Sequence, residues 1–155
     1  MIYAQHFSAE EFRAWADDMS PRLVTMLDIL RFRLGSPIAV SGSEYALGRN
    51  LGRGKMSEHN IDEWGEVLAV DCFIGGVYNR IQAEAVAHEA EAIGFTGIGV
   101  YSDTRNNQGQ EQVMFHLGVR PNEDMGSPAT WGRVNGKYTS LIAAVQSRLN
   151  LCTCR

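Results

Sequence analysis

Residues 54–73 read "GKMSEHNIDEWGEVLAVDCF", with a histidine, His59, and twelve residues later an aspartate, Asp71. A second histidine, His116, interrupts the apolar stretch "VMFHLGVR". Two imidazoles and a carboxylate are a ligand set suited to a catalytic zinc, which takes three protein donors and leaves a fourth position to water. The same residues have a plainer reading, in which Asp71 caps a local turn and both histidines are satisfied by backbone hydrogen bonds. H-x11-D alone does not choose between them. The other two histidines have weaker claims: His6 lies in the N-terminal segment, and His88 sits in "EAVAHEAEA", on the solvated face of a helix.

Any such site must be positioned by the elements around it. Period-2 alternation puts Val113, Phe115, Leu117 and Val119 on one strand face and Met114, His116, Gly118 and Arg120 on the other, so His116 points away from the more apolar face. "EVLAVDCF" (66–73) is a continuous apolar run of strand length, implying burial on both faces and hence a partner for Asp71. His59 falls in the glycine-rich polar loop that leads into this strand. "PIAVSG" (37–42), "TGIGVYS" (96–102) and "EQVMFHLGVR" (111–120) are further strand candidates, the last two joined as an antiparallel hairpin by the polar "DTRNNQGQ".

Helices frame these strands. "SAEE" (8–11) is a capping-box pattern ahead of Phe12 and Trp15, and Ser20-Pro21 opens a second helix with Leu23, Met26, Leu27 and Leu30 as its stripe, ending before Gly35. "NRIQAEAVAHEAEAIG" predicts a third, with Ile81, Ala85 and Ala92 inward and Gly94 as its stop. A C-terminal helix is expected over about 138–149. Helices first, then strands interleaved with helices, predict a single α+β domain over residues 1–155, with a small antiparallel sheet flanked by helices.

Bulk properties narrow the function classes. A length of 155 residues suits one domain, and a net charge of −4 with pI near 5.5 gives no basic footprint for nucleic acid. No apolar run approaches the roughly 20 residues of a membrane span, and "MIYAQHFSAEEF" lacks a signal-peptide pattern, so cytoplasmic synthesis without a signal peptide is expected. Three cysteines, Cys72, Cys152 and Cys154, cannot all pair within the chain. The C-x-C tail is read as a frayed terminus, with metal binding as its alternative.

Taken in order, "FSAEEF", "LVTMLDILRFRLGSPIAVSG", "SEHN", "LAVDCF", "GFTGIGVYS", "FHLGVRPN" and "ATW" resemble the zinc D-Ala-D-Ala carboxypeptidase and L-Ala-D-Glu endopeptidase superfamily. This superfamily has the Hedgehog/DD-peptidase fold and includes many phage endolysins. The resemblance runs from about Phe7 to Trp131. It implies that His59, Asp71 and His116 hold Zn2+, that Ser57 lies near the substrate, and that Trp131 closes the site region. It also implies a peptidoglycan stem peptide as substrate, in a protein of phage or prophage type that is virion-associated or released to the cell wall at lysis.

The chain departs from the family pattern in four places. Asp71 comes twelve residues after His59, farther than the family places it, so "IDEWGEV" contains an insertion, expected to rim the site with Trp64 packed. "SGSE" puts Glu44 where the family has a carboxylate-binding arginine, leaving Arg49 or Arg53 as substitutes. Val113 and Met114 occupy the customary acid/base positions, so the proton work falls to Glu111, whose odd spacing from His116 requires a bulge, or to Glu58, Asp62, Glu63 or Glu66. Gly118 stands where the family often has an aspartate beside the ligands. Two functions therefore remain: a zinc peptidase of peptidoglycan stem peptides, or a catalytically degenerate relative serving as a structural or binding component, for example among virion proteins.

Overall fold

The computed structural model describes residues 4–120 and 128–147. Helix α1 (Pro21–Leu34) starts after Ser20 with proline in its first turn, where a missing N–H costs nothing, and stops at Gly35 in the left-handed region (φ 58°). Its buried residues are Leu23, Val24, Met26, Leu27 and Leu30, the expected stripe with Val24 added. The segment before it, Ala9–Trp15, is a 3-10 helix broken at Arg13 (φ 55°). Arg13 sends its guanidinium to the carbonyls of Ser41 and Ser43 at 2.5 and 3.1 Å, tying this segment to the loop after the first strand.

The remaining elements are β1 (Ile38–Val40), α2 (Ile61–Trp64), β2 (Ala69–Ile74), α3 (Arg80–Ile93), β3 (Gly97–Tyr101), β4 (Met114–Gly118), β5 (Ala129–Val134), β6 (Lys137–Thr139) and α4 (Leu141–Ser147). They build an α+β domain around one six-stranded sheet in the order β1-β2-β4-β3-β5-β6. Neighbouring strands run antiparallel except β3 and β5, which are parallel. The β3–β4 hairpin is as its alternating pattern predicts. No helix among the described residues is long and apolar enough to cross a membrane.

Three expectations need correction. The inward face of α3 is Ala83, Val86, Ala87 and Ala90, whereas Ile81 is 77% exposed and Ala85 and Ala92 are also exposed. With alanines on every side of this helix, periodicity did not single out one stripe, and Val86 decides the packing. Strands β5 and β6 lie in "ATWGRV" and "KYT", the two outermost strands on one side of the sheet, whose burial shows no clean alternation. Since β6 takes residues 137–139, α4 starts only at Leu141; the end of the expected helix and the Cys152/Cys154 tail lie outside the described residues.

The two faces of the sheet differ in kind. Val70, Cys72, Ile98, Val100, Phe115 and Leu117 are at most 1% exposed and belong to the hydrophobic core. Helix α4 packs closely against β5 at Gly132, where a β-carbon would lie 2.2 Å from that of Ala144. The opposite face carries one transverse row in register, Asp71 beside His116, His116 beside Gly99, and Gly99 beside Trp131. Residues 41–68 supply the covering of that face near Glu58 and His59.

Candidate metal centre

Asp71 and His116 face each other across the β2–β4 ladder, a register that brings an imidazole nitrogen, Nδ1, to 2.9 Å from Asp71 Oδ1. His59 arrives from the covering loop. Its Nε2 stands 3.5 Å from the same carboxylate oxygen and 3.3 Å from His116 Nδ1. Three donor atoms thus form a small triangle. Zinc bonds of about 2.0–2.1 Å in tetrahedral geometry space donors by roughly 3.3 Å, so the set fits such an ion with little movement.

Hydrogen bonds behind the triangle aim the lone pairs into it. His59 Nδ1 lies 2.5 Å from the Leu47 carbonyl, which can only accept, so Nδ1 carries the hydrogen and the Nε2 lone pair faces inward. His116 Nε2 lies 2.6 Å from Glu58 Oε2, which likewise leaves Nδ1 for a metal. Neighbouring backbone fixes the frame: the Asp71 N–H donates to Ala46 O at 2.8 Å, and the Asp71 carbonyl accepts from Ser41 N–H at 2.9 Å. Arg49 and Ile61 clamp the two loop strands together around His59 and Asn60, Arg49 N–H donating to His59 O at 2.7 Å.

Without a metal, the charges balance internally. Burial pushes the Asp71 and Glu58 carboxyls toward neutrality, but the hydrogen bonds from His116, joined by Arg120 at Glu58, prevail and hold both below the ordinary carboxylate range. Burial alone would strip His116 of its proton; the bonds to Asp71 and Glu58 outweigh it and raise its pKa to about 9. The site is therefore a protonated imidazole between two carboxylates, ready to exchange a proton for a metal cation.

The other residues singled out from sequence fall in different places. Ser57 Oγ accepts the His59 N–H at 3.3 Å, and the Ser57 carbonyl accepts from Trp64 Nε1 at 2.9 Å, so Ser57 shapes the ligand loop. Trp64 packs against the core, and Asp62 and Glu63 accept backbone N–H groups of Gly52 and Gly54, so the insertion is a folded part of the covering loop. Arg49 lies over the Tyr45 ring at 4.8 Å, and its buried Nε has no hydrogen-bond partner among the described residues. Trp131 lies 4.9 Å from the His116 ring. Glu111 is exposed and pairs with Arg105 at 3.5 Å, three residues outside β4. Met114 is partly buried on the site face, and Val113 is buried.

Two further groups lie beside the triad. Glu58 is one of several loop carboxylates that the sequence offers for proton transfer, with nothing to mark it as a partner of a ligand, and no pattern in the sequence singles out Tyr101. The Tyr101 hydroxyl accepts from Trp131 Nε1 at 3.2 Å, and burial pushes its pKa up to about 12, so it keeps its proton at neutral pH. A legible signal did exist: Gly97, Gly99 and Gly118 share the site face, where a β-carbon at Gly99 would meet Trp131 Nε1 at 2.6 Å. A cavity of about 650 Å³ is on the other face, between α3, α4 and β5, and is lined by Arg80, His88, Ile98 and Thr130 among others. It has no part in the triad. No family model, curated protein or solved structure matches the chain.

Proposed function

We propose that this chain is a zinc-dependent peptidase acting on the stem peptides of bacterial peptidoglycan. The observation that carries the metal is the convergence of His59 Nε2, Asp71 Oδ1 and His116 Nδ1, with all three ligand atoms within 4.8 Å of one another. The substrate class rests on the resemblance over residues 7–131. A zinc ion held there supplies Lewis acidity to a peptide carbonyl and lowers the pKa of water to about 7.

The chain's own residues supply the rest. Asp71 is the most exposed of the three ligands, with 13% of its side chain accessible, and marks the open side. Trp131 forms a flat wall beside His116 against which a stem peptide stacks. Tyr101, its hydroxyl proton retained and its oxygen already accepting from Trp131, donates a hydrogen bond to the oxygen that gains charge as the carbonyl is attacked. Arg49, only partly buried, pairs through its guanidinium end with a substrate carboxylate in place of the arginine replaced by Glu44. This assignment moves the chief polar role from Glu111, exposed and paired with Arg105, to Tyr101.

A second reading is favoured by one observation: Val113 is buried and Met114 is a thioether, so neither customary acid/base position can move a proton. In that reading the chain keeps the metal and the fold as a structural or binding component, for example in a virion. Digestion of purified peptidoglycan by the zinc-loaded protein separates the two. Release of new amino termini that stops in Tyr101→Phe, with zinc retained, supports the peptidase; zinc binding without any release supports the structural component. Elemental analysis with no zinc in wild type overturns both.

A further inference from the structure

We infer that Glu58 is the positioning residue of the metal centre, a loop carboxylate seated in a notch of two glycines that holds His116 in its ligating orientation. This inference rests on the metal-binding reading of the triad. Glu58 is only 3% exposed, although its neighbours Lys55 and Met56 in the same loop are exposed. A carboxylate is buried to that degree only when its oxygens are engaged. Both are: Oε2 lies 2.6 Å from His116 Nε2, and Oε1 lies 2.5 Å from Arg120 Nε.

The sheet is shaped to receive it. Gly97 and Gly118 are direct partners in the β3–β4 ladder. A β-carbon at Gly118 would stand 2.3 Å from Oε2, and one at Gly97 would stand 2.8 Å from both carboxylate oxygens. No other residue type fits at these positions while the carboxylate stays in place. The two absent side chains and the buried carboxylate are therefore one feature, written at three separate points of the chain.

Its chemical effect follows from the tautomer. With Nε2–H directed at a carboxylate, the lone pair of His116 is on Nδ1, the atom facing Asp71 and His59, and the imidazole becomes the stronger donor. Glu58 is also adjacent in sequence to His59. One dipeptide supplies a ligand with its second residue and orients another ligand, 57 residues away, with its first. Because both oxygens are engaged, Glu58 positions rather than shuttles protons.

The test is zinc affinity by competition with a chromophoric chelator, together with the visible spectrum of the cobalt-substituted protein. Glu58→Ala should weaken zinc about 10- to 100-fold, the range found when such partners of ligand histidines are lost, and shift the cobalt spectrum. Glu58→Gln, which still offers an oxygen to Nε2–H, should recover most of the affinity. Gly118→Ala should weaken zinc in the wild-type background and have no further effect in Glu58→Ala. If Glu58→Ala fails to fold, Gly118→Ala carries the test, expected to weaken zinc and to shift the cobalt spectrum while Glu58→Gln stays close to wild type. Wild-type zinc affinity and an unchanged cobalt spectrum in whichever of Glu58→Ala and Gly118→Ala fold overturn the inference while leaving the metal centre intact. A wild-type protein that binds no zinc overturns both.

Discussion

The two faces of the central sheet are made by the same strands and obey opposite rules. On one, Val70, Cys72, Ile98, Val100, Phe115 and Leu117 are interchangeable apolar volume, each judged by how well it fills space. On the other, Asp71, His116, Gly99 and Trp131 form a row in which each residue is defined by the single atom it presents or withholds. Adjacent residues such as Phe115 and His116 therefore differ in what their loss should do. Damage to the first face should appear as lost stability whatever the metal content; damage to the second should depend on the metal.

The largest effect should come from the packed face. Phe115→Ala, at a residue with no exposed surface, should cost about 3–5 kcal/mol of unfolding free energy, equally with and without chelator. Denaturant titration in both conditions checks this, and a chelator-dependent loss would mean that the faces are not separable. Next, zinc at about 100 times its dissociation constant should stabilise wild type by about 2.7 kcal/mol. Asp71→Asn and His59→Ala should lose that increment along with roughly one zinc per chain. Survival of the full increment in either variant would remove it from the ligand set.

A smaller effect sharpens the contrast through pH. In the unfolded chain a histidine titrates near 6.5, whereas folded, metal-free His116 holds its proton to about 9. Its contribution is therefore complete below about pH 6.5 and disappears as pH rises through about 9. Asp71 and Glu58, held low, have the opposite sign: their contribution is present above the ordinary carboxylate range and is lost as pH falls. Stability of the chelated protein should thus peak between about pH 5 and 6.5, and zinc uptake near pH 7.5 should release about one proton. Denaturation across pH and calorimetry in buffers of different ionisation enthalpy measure the two; a flat profile with no proton release would show that His116 is not held this way. Smallest of all, Gly99→Ala should displace the Trp131 indole and change its fluorescence while leaving zinc bound.

The same contrast explains how much of the molecule was legible in its sequence. Apolar volume announces itself through period, so α1, β2 and the β3–β4 hairpin were readable, and the alternation over 113–120 put His116 on the correct face. The ligand triad was readable as residue types, and the structure gathers its three members. What period could not convey was the long covering loop, where Glu58 is one acidic residue among several until folding buries it. Nor could it convey β5 and the edge strand β6, whose exposure pattern lacks alternation. The glycines at 97, 99 and 118 carried that information in negative form, as side chains left out to admit Glu58 and Trp131.

Cys72 shares its strand with Asp71 but points into the packed face, fully buried, where desolvation and the neighbouring Asp71 charge push its thiol far above the ordinary range. A thiol so placed meets an aqueous reagent only when the sheet itself comes apart. In a chain carrying Cys152→Ser and Cys154→Ser, the rate of Cys72 modification becomes a clock for the opening of β2. Because Asp71 is the preceding residue, zinc should slow that clock.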